Sequence, residues 1–472
     1  MPAPILYLPE LLLANSRALS GAGLLVDSDG LVAGVIAIDS APPETQLDGT
    51  QRVRLPGKAL LPGLANAHSH TFQRIFRGRA EGRVAGGDTF WTWREQMYRA
   101  AAFLSPEDLY DVARATFLEM VAAGITAVGE FHYLHRDPHG NAYSDPNLLS
   151  RQVIAAAQSV GLRICLLRSA YFHAGFNLPP HPGQLRFYES LDEYLLNLEE
   201  LASRYATTQN VTVGAAPHSI RAVPLAAIQQ IAAAAKGRMP LHIHISEQPG
   251  ENTACVNEYG VTPLSLMANH GILTPSTTLI HAIHLTVSEF ESVASAGATI
   301  CSCPTTERNL GDGIFPADIA SRLGIPVAFG SDSQAQIDIL EDARQLEYHL
   351  RLRDRQRGIL DAPKQSIGPS LFRAASANGH RSLGLPGGSL ATGQPADFFT
   401  VDLNDLSILG IDKESLSAQA VFSLSKSAIR DVAVQGRLIL KDGQHKEAEE
   451  IRSRYREVQT RYLAAGSPGE TQ

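Results

Sequence analysis

From residue 58 to about 355 the chain alternates short apolar runs with amphipathic stretches. The runs fall at roughly 58–67, 126–133, 163–172, 211–217, 240–246, 278–283, 298–303 and 326–331. Most are rich in Val, Ile, Leu and Ala without polar alternation, as in strands buried on both faces. Between them, apolar positions recur at helical spacing over 105–123, 149–160, 191–206, 224–235, 286–296 and 338–353. One helix start is explicit: Ser105 can cap it, Pro106 suits its first position, and Glu107 and Asp108 place acids in the first turn. Strand-like runs joined by helices in this order predict an α/β fold, a TIM-like (β/α)8 barrel that carries its chemistry on the loops after the strands.

The flanks read differently. Residues 1–57 hold β-like runs (GLLVDSDG, LVAGVIAID) broken by Gly, Asp and Pro, and 394–444 hold ADFFTVDL and DVAVQGRLILKDGQ. Both flanks are expected to pair into one small β-sandwich beside the barrel. The expected division is 1–60 for the N-terminal part of the sandwich, 61–380 for the barrel, and 381–472 for the C-terminal part. The last piece includes a surface helix over 445–464 and a frayed tail, GSPGETQ.

Composition narrows the function. With 472 residues, 44% of them hydrophobic and 19% charged, the chain can bury a large core. A net charge of −8 argues against a nucleic-acid partner, so an anionic substrate would have to be drawn by local arginines. Cys165, Cys255, Cys301 and Cys303 suggest buried thiols in a reducing compartment rather than a disulfide framework. The start MPAPILYLPELLLA lacks a basic lead, and no run approaches the ~18 apolar residues of a membrane span. A cytoplasmic protein with no membrane partner is expected.

Potential metal ligands cluster at the ends of the apolar runs. His68 and His70 in LPGLANAHSH are one residue apart and leave a strand on one face, so they can chelate one ion. In PLHIHISE, His242 and His244 also share a face. His244, nearer the mouth, is the better ligand, and His242 is expected to pack deeper. Asp332 follows VAFGS and completes a set of three imidazoles and a carboxylate, which suits Zn2+ and tolerates Fe2+. Two-metal barrels of this general type often use a carbamylated lysine on the middle strands as a bridge. This chain has no lysine between Lys58 and Lys236, which favours one ion per subunit, with Cys165 or a glutamate as the alternative bridge. Glu247 is placed to carry a proton to a leaving nitrogen, and His281 and Asp332 to accept a proton from water and orient it. His284 is expected to be structural.

These residues carry a family resemblance. LPGLANAHSH, HIHISE, the HAIH segment and GSD resemble the amidohydrolase superfamily, in its branch that deaminates amidines and ring nitrogens. The resemblance spans almost the whole chain. HTFQR (70–74), FWTWREQMYR (90–99), EFHYLH (130–135), HSIRAV (218–223), TERNLGDGIFPA (306–317) and LEYHLRLRDR (346–355) are similar to the formimidoylglutamate deiminases. That resemblance implies hydrolysis of N-formimino-L-glutamate, a small dicarboxylate, to N-formyl-L-glutamate and ammonia, by a homodimer. It also implies that Arg94 and Arg221 grip the substrate carboxylates, with Gln73, Tyr133 and His218 lining the site. Trp91 and Trp93 are expected either to form a lid or simply to pack. Two departures from the resembled pattern stand out: Gln334 where a His is usual after GSDS, and Arg308 where a small residue is usual. The alternative reading is a related enzyme deaminating a ring substrate such as guanine or another purine or pyrimidine; a catalytically silent barrel is disfavoured because no ligand is lost.

Overall fold

The computed structural model describes residues 3–38, 49–81, 89–361 and 366–465. The tail read as frayed, 466–472, and the side chain of Trp91 lie outside the described residues.

The barrel strands are β1 Leu64–Ser69, β2 Ile125–His132, β3 Arg163–Ala170, β4 Val211–Pro217, β5 Leu241–Ile245, β6 Thr277–His281, β7 Thr299–Ser302 and β8 Val327–Phe329. They form one parallel sheet in sequence order. The barrel closes where Ser69 bridges Asp332 in parallel. There the His70 N–H donates to the Asp332 carbonyl at 3.1 Å and the Asp332 N–H to the His68 carbonyl at 3.0 Å. The closing hydrogen bonds therefore run through three of the expected ligands. Gly330 permits that approach, since a Cβ there would lie 2.7 Å from the His68 Cβ.

The helices cover the outside with their apolar faces turned to the strands. Pro106–Ala122 starts as expected, with a capping box between Ser105 and Asp108 that satisfies two end groups at once. The apolar pattern does not single out the helices Thr89–Phe103, Pro249–Tyr259 or Pro304–Leu310, all of which border the mouth.

One expected strand divides in two. The run at 58–67 belongs to Gln51–Pro62 in the chain-end sheet and then to β1, with Gly63 between them. Both pieces are apolar, so periodicity alone does not reveal the change of sheet. Gly63 marks it: a Cβ there would meet the Thr126 side chain at 2.3 Å.

Both flanks meet in one mixed sheet. Its order is Arg437–Leu440, Ile429–Val434, Phe398–Asp402, Gln51–Pro62, Ile5–Ala14, Ala22–Val26, Val32–Ala37, with Arg17–Ser20 paired to Ile5–Ala14. The sheet folds over itself, so that Val32 N–H reaches the Gln394 carbonyl at 2.8 Å, and encloses its own core around Tyr7, Leu24 and Phe398. This is the β-sandwich expected from the two chain ends. The helix Ala448–Ala464 packs against Pro106–Ala122. Among the described residues, no helix is long and apolar enough to cross a membrane.

Candidate active site

At the C-terminal ends of the strands, four donor side chains converge. His68 Nε2 lies 3.0 Å from His244 Nε2. Asp332 Oδ1 lies 3.2 Å from both His68 Nε2 and His70 Nε2. All four side chains are buried, and their ligand atoms all lie within 4.8 Å of one another. Second contacts fix two of the tautomers. His70 Nδ1 faces the Phe131 carbonyl at 2.8 Å and His244 Nδ1 the His218 carbonyl at 3.0 Å, so each Nδ1–H donates outward and each Nε2 lone pair points inward. Burial holds His68 down at about 3 and His244 well below the usual imidazole range, leaving both neutral. Burial alone would raise Asp332, but the neighbouring His68 and His70 imidazoles hold it well below the carboxylate range. Neutral imidazoles and an ionised carboxylate facing one point are the donor set of a divalent-metal site.

Backbone geometry supports this convergence. His281, Ser246 and Asp332 have φ of 70°, 49° and 44°, in the left-handed region that costs a non-glycine residue about 1–3 kcal/mol. These turns end the strands and aim the side chains across the mouth.

Beside the metal ligands sit the expected proton-handling groups. His281 Nε2 lies 3.6 Å from Asp332 Oδ2 and 3.8 Å from Glu247 Oε1. Burial works to lower the His281 pKa, but the surrounding carboxylates of Glu247, Glu307 and Asp332 prevail and raise it well above the usual range. A single cavity is lined by His70, Gln73, Trp93, Arg94, Tyr133, His218, Arg221, His244, Glu247, His281 and Asp332. The expected metal, proton-handling and substrate residues thus share one cavity, with His68 buried behind it. Trp93 faces Phe76 edge-on, with ring centroids 6.2 Å apart.

Polar contacts order the cavity wall. Gln73 Nε2 donates to the Tyr133 hydroxyl at 2.9 Å. Arg94 Nε donates to the Tyr98 hydroxyl at 2.6 Å. Gln184 splits its amide between the Tyr98 and Tyr171 hydroxyls, at 3.0 Å each, which leaves the Tyr171 hydrogen available at the cavity. The Arg221 guanidinium lies 3.7 Å from Glu247 and 3.6 Å from Glu251, beyond ideal hydrogen-bond range to either.

Several residues here escape the sequence reading. Glu130 on β2 is fully buried and accepts from Ser69 Oγ at 2.5 Å and from the Thr71 N–H and hydroxyl at 2.7 Å each. Burial raises its pKa to about 7. Tyr171, Glu251, Glu307 and Asp312 also border the mouth. The signal that could have found them is position: each follows a barrel strand or sits near its end.

The remaining expectations resolve simply. His242 is buried, with Nε2 2.8 Å from the Ser382 carbonyl, away from the ligands. His284 Nε2 contacts the Asp312 carbonyl at 2.9 Å. Cys165 is buried against Thr212 and joins no metal-competent group among the described residues. All four cysteines are free and buried. Gln334 lies beneath the site, donating to Ser69 Oγ at 2.7 Å and accepting from Ser331 Oγ at 3.0 Å, so it braces β1 against β8 and does not line the cavity. Arg308 is exposed on Pro304–Leu310, outside the cavity lining.

A family model described as "Amidohydrolase family" matches residues 59–439, from the end of the chain-end strand through the barrel to the last hairpin. The chain belongs to the amidohydrolase family. The chain is 40% identical to a formimidoylglutamate deiminase of Pseudomonas aeruginosa, over 89% of this chain and 91% of that protein. An 8-oxoguanine deaminase of the same organism is 27% identical over 84% of this chain and 85% of that protein. A crystal structure of an amidohydrolase from Brucella melitensis superposes with a TM-score of 0.87 at 31% identity, covering 97% of this chain and 99% of that one. This amidohydrolase is accordingly a hydrolase acting on C–N bonds.

Proposed function

We propose that this amidohydrolase hydrolyses N-formimino-L-glutamate to N-formyl-L-glutamate and ammonia. The observation that carries the reading is the placement of two guanidinium groups, Arg94 and Arg221, in the cavity that holds the metal-ligand cluster. A planar guanidinium grips a carboxylate with two parallel hydrogen bonds, and the substrate offers two carboxylates. The 40% identity to a formimidoylglutamate deiminase supports the same choice.

His68, His70, His244 and Asp332 would hold one Zn2+, with Fe2+ as the other ion the donor set suits. Bound there, the ion would lower the pKa of a coordinated water from 15.7 towards about 7 and supply the nucleophile. The protein's side chains do the rest. Arg94 and Arg221 hold the carboxylates and thereby place the formimino carbon over the cluster. His281 and Asp332 orient the attacking water and draw its proton. Glu247 passes a proton to the amino nitrogen. As the C–O bond forms, the C=N electron pair moves to nitrogen; protonation of that nitrogen then breaks the C–N bond while the adduct's hydroxyl gives its proton to Asp332 and its oxygen electron pair forms the C=O. Ammonia leaves and the formyl C=O remains. A cytoplasmic homodimer with one ion per subunit belongs to the same reading.

The test is ammonia release by zinc-loaded protein from N-formimino-L-glutamate, run beside guanine and cytosine. Turnover of the acidic substrate is expected, and Arg94→Met or Arg221→Met should lower its kcat/KM by about tenfold to a hundredfold, the worth of a charged hydrogen bond. Turnover of a ring substrate alone, or unchanged kcat/KM in both arginine variants, would reject this substrate and leave the reaction class standing.

A further inference from the structure

His281 has one ring nitrogen in the reaction cavity and one turned away from it. Nε2 is buried without a hydrogen-bond partner among the described residues, and it faces Glu247 and Asp332. Nδ1 points the other way, 3.4 Å from Glu307 Oε1. An imidazole can present a bare nitrogen to a reacting group only if its proton is held on the other one, and a carboxylate at Nδ1 does that.

Glu307 is built for such a task. It is buried in the first turns of Pro304–Leu310, the helix that follows β7. Its Oε1 accepts the Cys303 N–H at 2.7 Å, and its Oε2 accepts Ser302 Oγ at 3.1 Å. Those contacts fix the carboxylate from β7, while His281 is fixed at the end of β6 by a backbone in the left-handed region. Glu307 cannot swing away without breaking its contact to the Cys303 N–H. The Cys303 contact also caps the helix, so a purely structural account of Glu307 exists, and the two must be separated by experiment.

We propose that Glu307 is the positioning residue for His281: it keeps one imidazole proton on Nδ1, so that Nε2 is the nitrogen that gains and loses a proton towards the reacting water. The role rests on the hydrolytic reading of the site but not on which substrate is turned over. Glu307→Gln keeps an acceptor for both Cys303 and His281, whereas Glu307→Met keeps the volume and loses the acceptor. Glu307→Met should lower kcat about a hundredfold, within the span of a general base, with KM within about twofold and the metal content unchanged. Glu307→Gln should recover most of that loss. In a His281→Ala background, Glu307→Met should change the residual turnover less than about twofold, because groups acting through one another are not additive. An independent readout needs no substrate: in 15N-histidine-labelled protein, the His281 resonance, assigned by its disappearance in His281→Ala, should show on raising the pH that Nε2 loses its proton while Nδ1 keeps one.

Equal losses from Glu307→Met in both backgrounds would show a structural cap and overturn the proposal. So would a wild-type spectrum in which the neutral ring keeps its proton on Nε2, which decides the matter even if Glu307→Met fails to fold. If no substrate is turned over, the functional reading fails and the spectrum still tests the tautomer.

Discussion

At the scale of single residues, the site separates groups that hold from groups that move protons. The ligand atoms of His68, His70, His244 and Asp332 lie within 4.8 Å of one another, while Glu247 stands 3.8 Å from His281 and 3.7 Å from Arg221. Those separations leave Glu247 room to swing between neighbours, which a proton shuttle requires and a ligand does not. Glu247→Gln should therefore retain full metal content by elemental analysis while kcat falls about 10²–10⁴-fold, the usual worth of a general acid–base. Wild-type turnover in that variant would remove Glu247 from the mechanism. Arg221 adds a consequence of its own. Its Nε lacks a hydrogen bond among the described residues, and its nearest carboxylates sit at 3.6–3.7 Å, so an incoming substrate carboxylate meets a donor not yet committed to another partner.

At the scale of elements, much of this was legible from the chain and some was not. The strand ends were legible because barrel strands buried on both faces are continuous apolar runs, and each ligand interrupts such a run where it reaches the mouth. The boundary at Gly63 was not, because strands of the barrel and of the chain-end sheet are equally apolar there. Glu130 and Glu307 were hidden for a different reason. They act through Ser69, Thr71 and His281, so their spacing in the sequence carries no ligand signature. A buried pair on β3 shows how elements are fastened. Arg168 forms two hydrogen bonds to Glu189, at 2.6 and 2.9 Å, just before the helix Leu191–Tyr205. Burial would raise the Glu189 pKa, but the charges of His135 and Arg168 and hydrogen bonds from Arg168 and Asn197 hold it at about 2. His135 itself is depressed to about 4 by burial and is uncharged at neutral pH, so Arg168 is the partner that matters there. The folded pKa lies below the unfolded value, so the stabilisation is present above about pH 4.5 and is lost as pH falls towards 2. Urea unfolding at pH 7, 4.5 and 3.5 should show wild-type stability falling over the acid end. Glu189→Gln should be less stable at pH 7 and flatter across that window; identical pH slopes for the two proteins would refute the assignment.

At the scale of the whole molecule, the chemistry and the joint between the two layers lie at opposite ends of the barrel. The metal-ligand cluster is at the C-terminal mouth, whereas Asp397 sits at the N-terminal end, where chain-end sheet and barrel meet. Its carboxylate accepts Arg163 Nη1 at 2.7 Å, from the first residue of β3, and the Gln435 N–H at 2.8 Å, from the last hairpin. Its carbonyl accepts the Gly63 N–H at 2.9 Å, at the point where the chain passes from one sheet to the other. One fully buried residue thus ties β1, β3 and the C-terminal strands together. Removing its carboxylate leaves Arg163 buried without its charge partner, a loss that costs about 3–5 kcal/mol. Asp397→Ala should accordingly lower the Tm sharply. At a temperature where it is still folded, its kcat and KM should match wild type, because nothing it contacts reaches the mouth. Calorimetry beside steady-state kinetics separates the two effects. A parallel loss of kcat at that temperature would mean that the joint transmits strain to the ligands, and that the barrel's two ends are not independent.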